Sequence, residues 1–374
     1  MLVTLILARS LGPESMGIYG YILSLISIII AFSSLGFRQS VILFLKKNNL
    51  LINPIFKLSV FISISFFFVG LFLFLFDYLF LQKLISSNSK LFLFAVFILF
   101  SELFLTFLLA IFLGINHYSH YSKVLIALPS THFIIAIILF SQSNINLYNA
   151  LLAIVFKDLL IILYLLNTLS YKLNFDFRLD IKLFSKMIKN GYIYAIGLFL
   201  LTVLYNSNII ILKMFSLNSE LGNYIIATKV INIICLLPQT VGTIFFSSNK
   251  IEKENDNEMS KLSLFRSSFI IFSIFAIFSF FLIPRCIIIF FGNDYLISAE
   301  LYRLLIPGLI GLYIIKTIYP DLAGAEKLNV KFFIPVLLFF VIIQVVLNII
   351  LISYFSVYGA AITSSIIYSL LAVI

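Results

Sequence analysis

Tryptophan is missing from this sequence, cysteine occurs twice, histidine three times, and only 11% of the side chains are charged. Each scarcity removes a class of protein. Globular domains carry about a quarter charged residues and are roughly half apolar. This chain of 374 residues is 62% hydrophobic with a mean hydropathy of +1.17, so lipid rather than water must cover most of its surface. Cys235 and Cys286 both lie within apolar stretches, which excludes a disulfide framework and a zinc site and leaves packing as their role. His117, His120 and His132 do not form a metal set, and the first two fall in a short loop and read as solvated. No phosphate-binding Gly-x-x-x-x-Gly-Lys-Ser/Thr loop occurs, so direct use of ATP is not expected. No basic leader precedes the first apolar run, so a cleavable signal peptide is not expected either. Without tryptophan, any interfacial aromatic belt falls to the 19 tyrosines.

What the chain does have is long apolar runs. Met1 to Ala8 is too short to span a bilayer, which takes about 20 residues, and reads as the tail of a first helix whose beginning is missing. Further spans are expected at Gly17–Phe37 (continuing to Leu45), Leu58–Phe76, Leu91–Ile115, Val124–Phe140 and Leu147–Leu169. After a polar patch they resume at Gly191–Leu212, Leu221–Phe246, Leu264–Phe291, Leu304–Tyr319, Phe332–Tyr354 and Val357–Ile374, the last also looking clipped. The expected fold is an all-α integral membrane protein with about twelve transmembrane helices. Residues 1–170 would form an N-terminal helix bundle, 171–190 a cytoplasmic linker, and 191–374 a C-terminal bundle.

The net charge of +10 would suggest nucleic acid in a soluble protein, but here the cations lie between the spans and set topology instead. One alternating set of gaps holds Lys46, Lys47, Lys57, Lys123, Lys172, Arg178, Lys182, Lys186, Lys189, Lys250, Lys253, Lys261, Arg266, Lys327 and Lys331. The other holds Lys83, Lys90, Arg285 and Arg303. Fifteen against four makes the first set cytoplasmic, and both chain ends with it. The mixed-charge loop from Lys250 to Lys261 reads as solvated.

The chain also repeats itself. Arg9-Ser10-Leu11-Gly12-Pro13-Glu14-Ser15-Met16-Gly17-Ile18-Tyr19 returns as Lys213-Met214-Phe215-Ser216-Leu217-Asn218-Ser219-Glu220-Leu221-Gly222-Asn223-Tyr224. Gly17 and Tyr19 match Gly222 and Tyr224 at a shift of 205 residues. Gly114, Tyr148 and Ala150 match Gly324, Tyr358 and Ala360 at a shift of 210. A repeat this long is half a protein, not a solenoid unit. Six spans separate equivalent points, so the halves insert in the same direction and should be related by a pseudo-two-fold axis along the membrane normal.

Leu11-Gly12-Pro13-Glu14-x-x-Gly17-x-Tyr19 after a first span, followed by Leu35-Gly36, resembles the N-terminal signature of polysaccharide-exporting flippases. These include the O-antigen (Wzx-type) flippases of the multidrug/oligosaccharidyl-lipid/polysaccharide (MOP) exporter superfamily. Phe291-Gly292-x-x-Tyr295, Gly324-Ala325-x-Lys327 and Tyr358-Gly359-Ala360-Ala361 extend the resemblance to the second half. It implies two six-helix bundles that alternate between inward- and outward-open forms. Its implied task is to carry an undecaprenyl-diphosphate-linked oligosaccharide, as in lipopolysaccharide biosynthesis, across the bacterial inner membrane. The implied partners are that lipid-linked oligosaccharide, membrane lipids, and the polysaccharide polymerase and chain-length machinery. Nucleic acid is not expected, and the activity would be transport rather than catalysis. The shared motifs are turn and packing motifs, which identify a superfamily better than a substrate.

An ionisable side chain in mid-membrane is a functional candidate by default. At about 1.5 Å per helical residue in a core about 30 Å thick, Lys229, Lys157, Asp158, Lys316 and Glu102 fall centrally. Arg38, Arg9 and Lys213 fall near the faces, where they can reach water. The substrate-binding candidates are therefore Lys229, Lys157, Lys316, Arg38, Lys213 and Arg9, led by Lys229 because it stands alone in an apolar run. Its structural alternative is a buried pair with Asp158 or Glu102. Glu102 and Asp158 are the candidates for coupling to H⁺ or Na⁺. Lys157 and Asp158, adjacent in sequence and about 100° apart on a helix, are not expected to face each other. Asn206, Asn208, Asn232, Gln239, Gln344 and Asn348 could bind sugar hydroxyls or bond between helices, the commoner use. Two other classes compete. An O-antigen polymerase or glycosyltransferase would need a large, charged outer loop, and the outer loops here are short. A drug or cation exporter of the same superfamily would need an acidic cavity, whereas three central lysines outnumber two central acids.

Overall fold

The computed structural model describes residues 2–76, 89–142, 145–170, 179–248, 257–324 and 327–373. Residues 77–88 with Lys83, linker residues 171–178, loop residues 250–256, and Ala325 of the second-half motif lie outside the described residues. The rest is helical: α1 (Leu2–Ser33), α2 (Phe37–Lys47), α3 (Ile52–Phe76), α4 (Ser89–Gly114), α5 (Tyr118–Ser141), α6 (Leu147–Leu169), α7 (Ile181–Phe215), α8 (Asn218–Ile234), α9 (Leu236–Ser248), α10 (Asn257–Phe291), α11 (Leu296–Gly324) and α12 (Lys327–Leu371). Helices are what apolar runs must form in lipid, where no water satisfies a backbone N–H or C=O. Among the described residues, ten helices are long and apolar enough to cross a membrane. Two of them hold two expected spans each: α1 is broken at Gly12 (φ 71°, ψ 171°) and α12 at Ser356 (φ 49°, ψ −130°). The protein is an all-helical, multi-pass membrane protein.

Three expectations on element boundaries change. The second span does not run unbroken to Leu45: Leu35 (φ 44°) and Gly36 (φ 68°) adopt left-handed backbone, and α2 starts anew at Phe37. The eighth span breaks at Cys235. Pro238 has no N–H to give the carbonyl of Ile234, so the ladder cannot continue through that turn. Residues 181–190, expected as linker, are the first turns of α7. Asp180 accepts from the Leu183 N–H at 2.9 Å and caps this end. Leu183 and Met187 are buried while Lys182, Lys186 and Lys189 are exposed, a helical pattern that the charge density of the segment conceals.

The chain forms two compact units. The N-terminal unit comprises Leu2–Ser10 and Ile22–Thr202, and the C-terminal unit Leu11–Tyr21 and Val203–Ile374. In the first, α4 packs against α2, α3, α5 and α6; in the second, α11 packs against α8, α9, α10 and α12. The two hub helices end at the matched glycines Gly114 and Gly324. The other matched positions also fall on corresponding elements. Gly17 and Tyr19 follow the break in α1 as Gly222 and Tyr224 open α8, and Tyr148 and Ala150 open α6 as Tyr358 and Ala360 follow the break in α12.

Helices in lipid gain no hydrophobic drive from packing together, so small residues and interhelical hydrogen bonds hold them. In the C-terminal unit Asn208 Nδ2 donates to the Tyr224 hydroxyl (2.8 Å) and to Ser364 Oγ (2.5 Å). Its Oδ1 accepts from Gln344 (2.6 Å) and Asn348 (2.5 Å). Asn208, Gln344 and Asn348 are fully buried, so these three serve the interhelical role. The repeated stretches themselves meet in this unit. A Cβ on Gly222 would come within 1.9 Å of the Pro13 carbonyl oxygen, and one on Gly17 within 2.1 Å of the Asn218 carbonyl oxygen. Only glycine lets the two backbones touch there.

Candidate functional site

The N-terminal unit carries an open cavity of about 510 Å³ among α1, α2, α4, α5, α6 and α7. Its charged lining is Arg38 on α2, Glu102 on α4, and Lys157 and Asp158 on α6. Four of the eight residues singled out from the sequence thus meet in one place. The break at Leu35-Gly36 explains why Arg38 is among them. It re-aims the chain into α2, which is held against α7 by the hydrogen bond from Ser40 Oγ to the Met187 carbonyl (2.6 Å) and by the Phe37–Phe184 ring contact (centroids 6.4 Å). Arg38 is half-buried in that wall rather than splayed at a surface.

Lys157 and Asp158 do face each other, contrary to the expectation from their 100° offset. Lys157 Nζ lies 3.1 Å from Asp158 Oδ1, with the lysine side chain 14% exposed and the aspartate 0%. The offset separates their Cβ atoms, but a four-carbon arm reaches back across it, and a buried carboxylate without a cation is costly. Ser101 Oγ of α4 donates to Asp158 Oδ2 at 2.9 Å. Asp158 therefore serves both the cavity and the α4–α6 contact.

The uncharged lining went unremarked in the sequence. Ser27, Ser34, Gln39, Thr106, His132 and Thr202 face the same space, and Pro129 lies within α5 beside it. Gln39 Oε1 and His132 Nε2 are buried and make no hydrogen bond. A hydroxyl or amide inside an apolar run barely alters its hydropathy. The one available signal is that Ser27, Ser34 and Gln39 share a run with Arg38, and Thr106 with Glu102.

The other four candidates lie elsewhere. Lys316 of α11 is half-buried with its Nζ 4.5 Å from the centroid of the Tyr205 ring, a cation–π contact. Lys229 is exposed on α8. Its neighbours Thr228, Ile231 and Asn232 line a small cavity of about 40 Å³ with Tyr205, Tyr224 and Tyr368. Lys213, in the last turn of α7, bonds to the Asn218 side chain and lies 5.9 Å from the Tyr21 ring centroid. Arg9 is exposed, three residues before the Gly12 break. Of the remaining amides, Gln239 is exposed and Asn206 half-buried. Among the described residues no group of three or more His, Cys, Asp or Glu side chains is placed to hold a metal ion.

In structure the chain is similar to the lipid II flippase MurJ in an inward closed conformation, with a TM-score of 0.75, 16% identity, and 99% of this chain and 83% of that chain covered. It is also similar to an inward-facing multidrug resistance MATE family transporter of the MOP superfamily (TM-score 0.68, 12% identity, 100% and 91% covered). A third likeness is to a MOP superfamily transporter from Pyrococcus furiosus (TM-score 0.60, 14% identity, 100% and 88% covered). At these identities the likeness establishes the fold alone, which is that of MOP superfamily transporters. No curated protein is a significant sequence match. The family model described as "Polysaccharide biosynthesis protein" matches residues 1–245, nearly two thirds of the sequence, and the chain belongs to that family.

Proposed function

We propose that this protein is a flippase, not an enzyme, that moves an undecaprenyl-diphosphate-linked oligosaccharide, an O-antigen or related surface-polysaccharide unit, across the bacterial inner membrane. The observation that carries the reading is the cavity of the N-terminal unit. A membrane-spanning member of a polysaccharide biosynthesis family has, inside one helix bundle, about 510 Å³ of space walled by Arg38, Lys157, Glu102 and Asp158. Ionisable groups are expensive at membrane depth and mark transport pathways. Arg38 and Lys157 give a phosphate-bearing cargo cationic partners in a wall that also holds the acids Glu102 and Asp158.

In this reading the cations Arg38, Lys157, Lys229 and Lys316 serve the diphosphate, with Arg9 and Lys213 as further candidates towards the outer face. Glu102 and Asp158 are the candidates for H⁺ or Na⁺ coupling, and no other cofactor is invoked. The orientation is cytoplasmic at both ends, from the lysine and arginine asymmetry of the gaps. The polysaccharide polymerase and chain-length machinery would act on the exported unit.

The test is genetic. Deleting the gene in the bacterium that encodes it should abolish the surface polysaccharide and accumulate the lipid-linked unit inside. Wild type should restore the phenotype, and Arg38→Gln, expressed at the same level, should not. Undiminished polysaccharide after deletion, without precursor accumulation, would sink the proposal.

A further inference from the structure

α2 and the first turns of α7 form a second cationic feature of the N-terminal unit, distinct from the cavity lining. The two helices touch at their glycines. A Cβ on Gly36 would lie 2.0 Å from the Gly191 carbonyl oxygen, and one on Gly191 would lie 2.3 Å from that of Gly36. Beyond that contact Ser40 bonds to Met187 (2.6 Å), and Lys186 Nζ lies 5.9 Å from the Phe44 ring centroid. Residue numbers rise along α2 as they fall along α7, so the helices run antiparallel. The C-terminal end of α2 therefore comes beside the N-terminal end of α7. Each helix buries one face, Phe37, Val41 and Leu45 on α2 and Leu183 and Met187 on α7. Lys46, Lys47, Lys182, Lys186 and Lys189 are all exposed. Residues 37–51 and 179–191 set those lysines and Arg38 against one acid, Asp180, which caps α7. Exposed apolar side chains stand among the lysines: Leu43 on α2, and Leu179 and Ile181 at the start of α7. Leu50 joins them at 87% exposure, in a turn where Asn48 Oδ1 accepts from the Leu50 N–H at 2.9 Å.

α7 sets the depth of this end. At about 1.5 Å per residue, its apolar span from Gly191 to Leu212 fills a hydrocarbon core about 30 Å thick. The turns before Gly191, with Lys182, Lys186 and Lys189, then stand at the headgroups. Lysines and exposed leucines side by side at that depth match a ligand with a phosphate at one end and acyl chains at the other. A free phosphate, or an acidic protein, would meet the lysines and leave Leu43, Leu50, Leu179 and Ile181 in water. Setting topology asks only for a number of cations in the gap, not for their gathering beside leucines on one pair of helices. We infer that the paired ends of α2 and α7 are a binding surface for anionic phospholipid of the phosphatidylglycerol class. Its lysines take the headgroup phosphates, and the four apolar side chains enter among the acyl chains. The inference does not depend on the cargo: this surface holds a resident lipid of the leaflet, not the lipid that is moved.

Native mass spectrometry of the full-length protein released from nanodiscs tests this with phosphatidylglycerol and phosphatidylethanolamine in equal amounts. Wild type should retain phosphatidylglycerol in clear excess. Lys182→Gln with Lys186→Gln should weaken that retention by about fivefold for each lysine, the worth of one cation beside an anionic leaflet. Lys123→Gln with Lys331→Gln removes the same charge from exposed positions outside the pair and should leave retention unchanged. Equal retention of the two lipids by wild type, or equal loss in the two double variants, would overturn the assignment. Glycerol phosphate, the headgroup without its chains, should not displace the bound lipid, and displacement would reduce the surface to a general anion site. Preferential retention of undecaprenyl diphosphate through Lys182 and Lys186 would give the surface to the cargo and overturn the inference as well. Should the first variant fold poorly, wild type alone suffices. A photoreactive phosphatidylglycerol should label residues 43–50 and 179–189 far more than its phosphatidylethanolamine counterpart does, and equal labelling would contradict the surface.

Discussion

Asp158 is fully buried with Lys157 Nζ at 3.1 Å and Ser101 Oγ at 2.9 Å, so its charge depends on one neighbour in sequence and one on α4. Removing one member of a buried pair strands the other, at a cost of about 3–5 kcal/mol, whereas replacing both is often close to neutral. Lys157→Met should therefore destabilise the protein by roughly that amount in denaturant unfolding from detergent micelles. Adding Asp158→Leu should recover most of the loss, and a double variant no more stable than the single one would contradict the pair's role. At this scale the sequence was legible where a full charge interrupts an apolar run, as at Glu102, Lys157 and Asp158. It was silent at Gln39, Thr106 and Thr202. A neutral polar side chain is cheap enough to lie anywhere on a membrane helix, and only the packing of α1, α2, α4 and α7 shows that these share a wall with Arg38.

The elements are fixed by where the helical ladder fails and where backbones touch. Gly222 packs with its Cα against the Pro13 carbonyl, and a Cβ there would lie 1.9 Å from that oxygen. At Gly70 an added Cβ would meet only Leu99 methyls at 3.7 and 3.9 Å. Gly222→Ala should sharply lower the yield of monodisperse protein on size-exclusion chromatography, and Gly70→Ala should not. Similar yields for the two would argue against the α1–α8 contact. In the same unit, Asn208→Leu removes the shared partner of Tyr224, Ser364, Gln344 and Asn348. It should cost about 1–3 kcal/mol for each buried amide left unmatched, read as a lower unfolding midpoint. Ser356 is a comparable local device: its φ of 49° is held by hydrogen bonds to Ser216 (2.7 Å) and Glu220 (2.5 Å). The run lengths announced most of these helices. The breaks at Cys235 and Ser356 were harder to see, because one depends on a proline three residues downstream and the other on tertiary hydrogen bonds to a residue of ordinary type.

At the scale of the molecule, the repeat was the most legible feature: Gly114 and Tyr148 fall on elements of the N-terminal unit that correspond to those of Gly324 and Tyr358 in the C-terminal unit, while Gly17 and Gly222 meet within the latter. The border between the units was not legible. It falls inside α1, beside the Gly12 break and again at Tyr21–Ile22, and inside α7 at Thr202–Val203, where the helix runs on without a break. The proposed orientation can be checked by cysteine labelling after replacement of Cys235 and Cys286. Lys47→Cys should react only from the cytoplasmic side and Arg303→Cys only from the outside, and the reverse pattern would invert the topology. The central claim, that this chain carries a saccharide-bearing lipid across the bilayer, is tested most directly by reconstitution. Purified protein is placed in vesicles loaded with undecaprenyl-diphosphate-linked oligosaccharide, and an added glycosidase or lectin reports the fraction in the outer leaflet. The account predicts that wild type makes the inner-leaflet half accessible and that Arg38→Gln does not. Wild-type vesicles that keep that half protected, as protein-free vesicles do, would contradict it, with and without an imposed H⁺ or Na⁺ gradient.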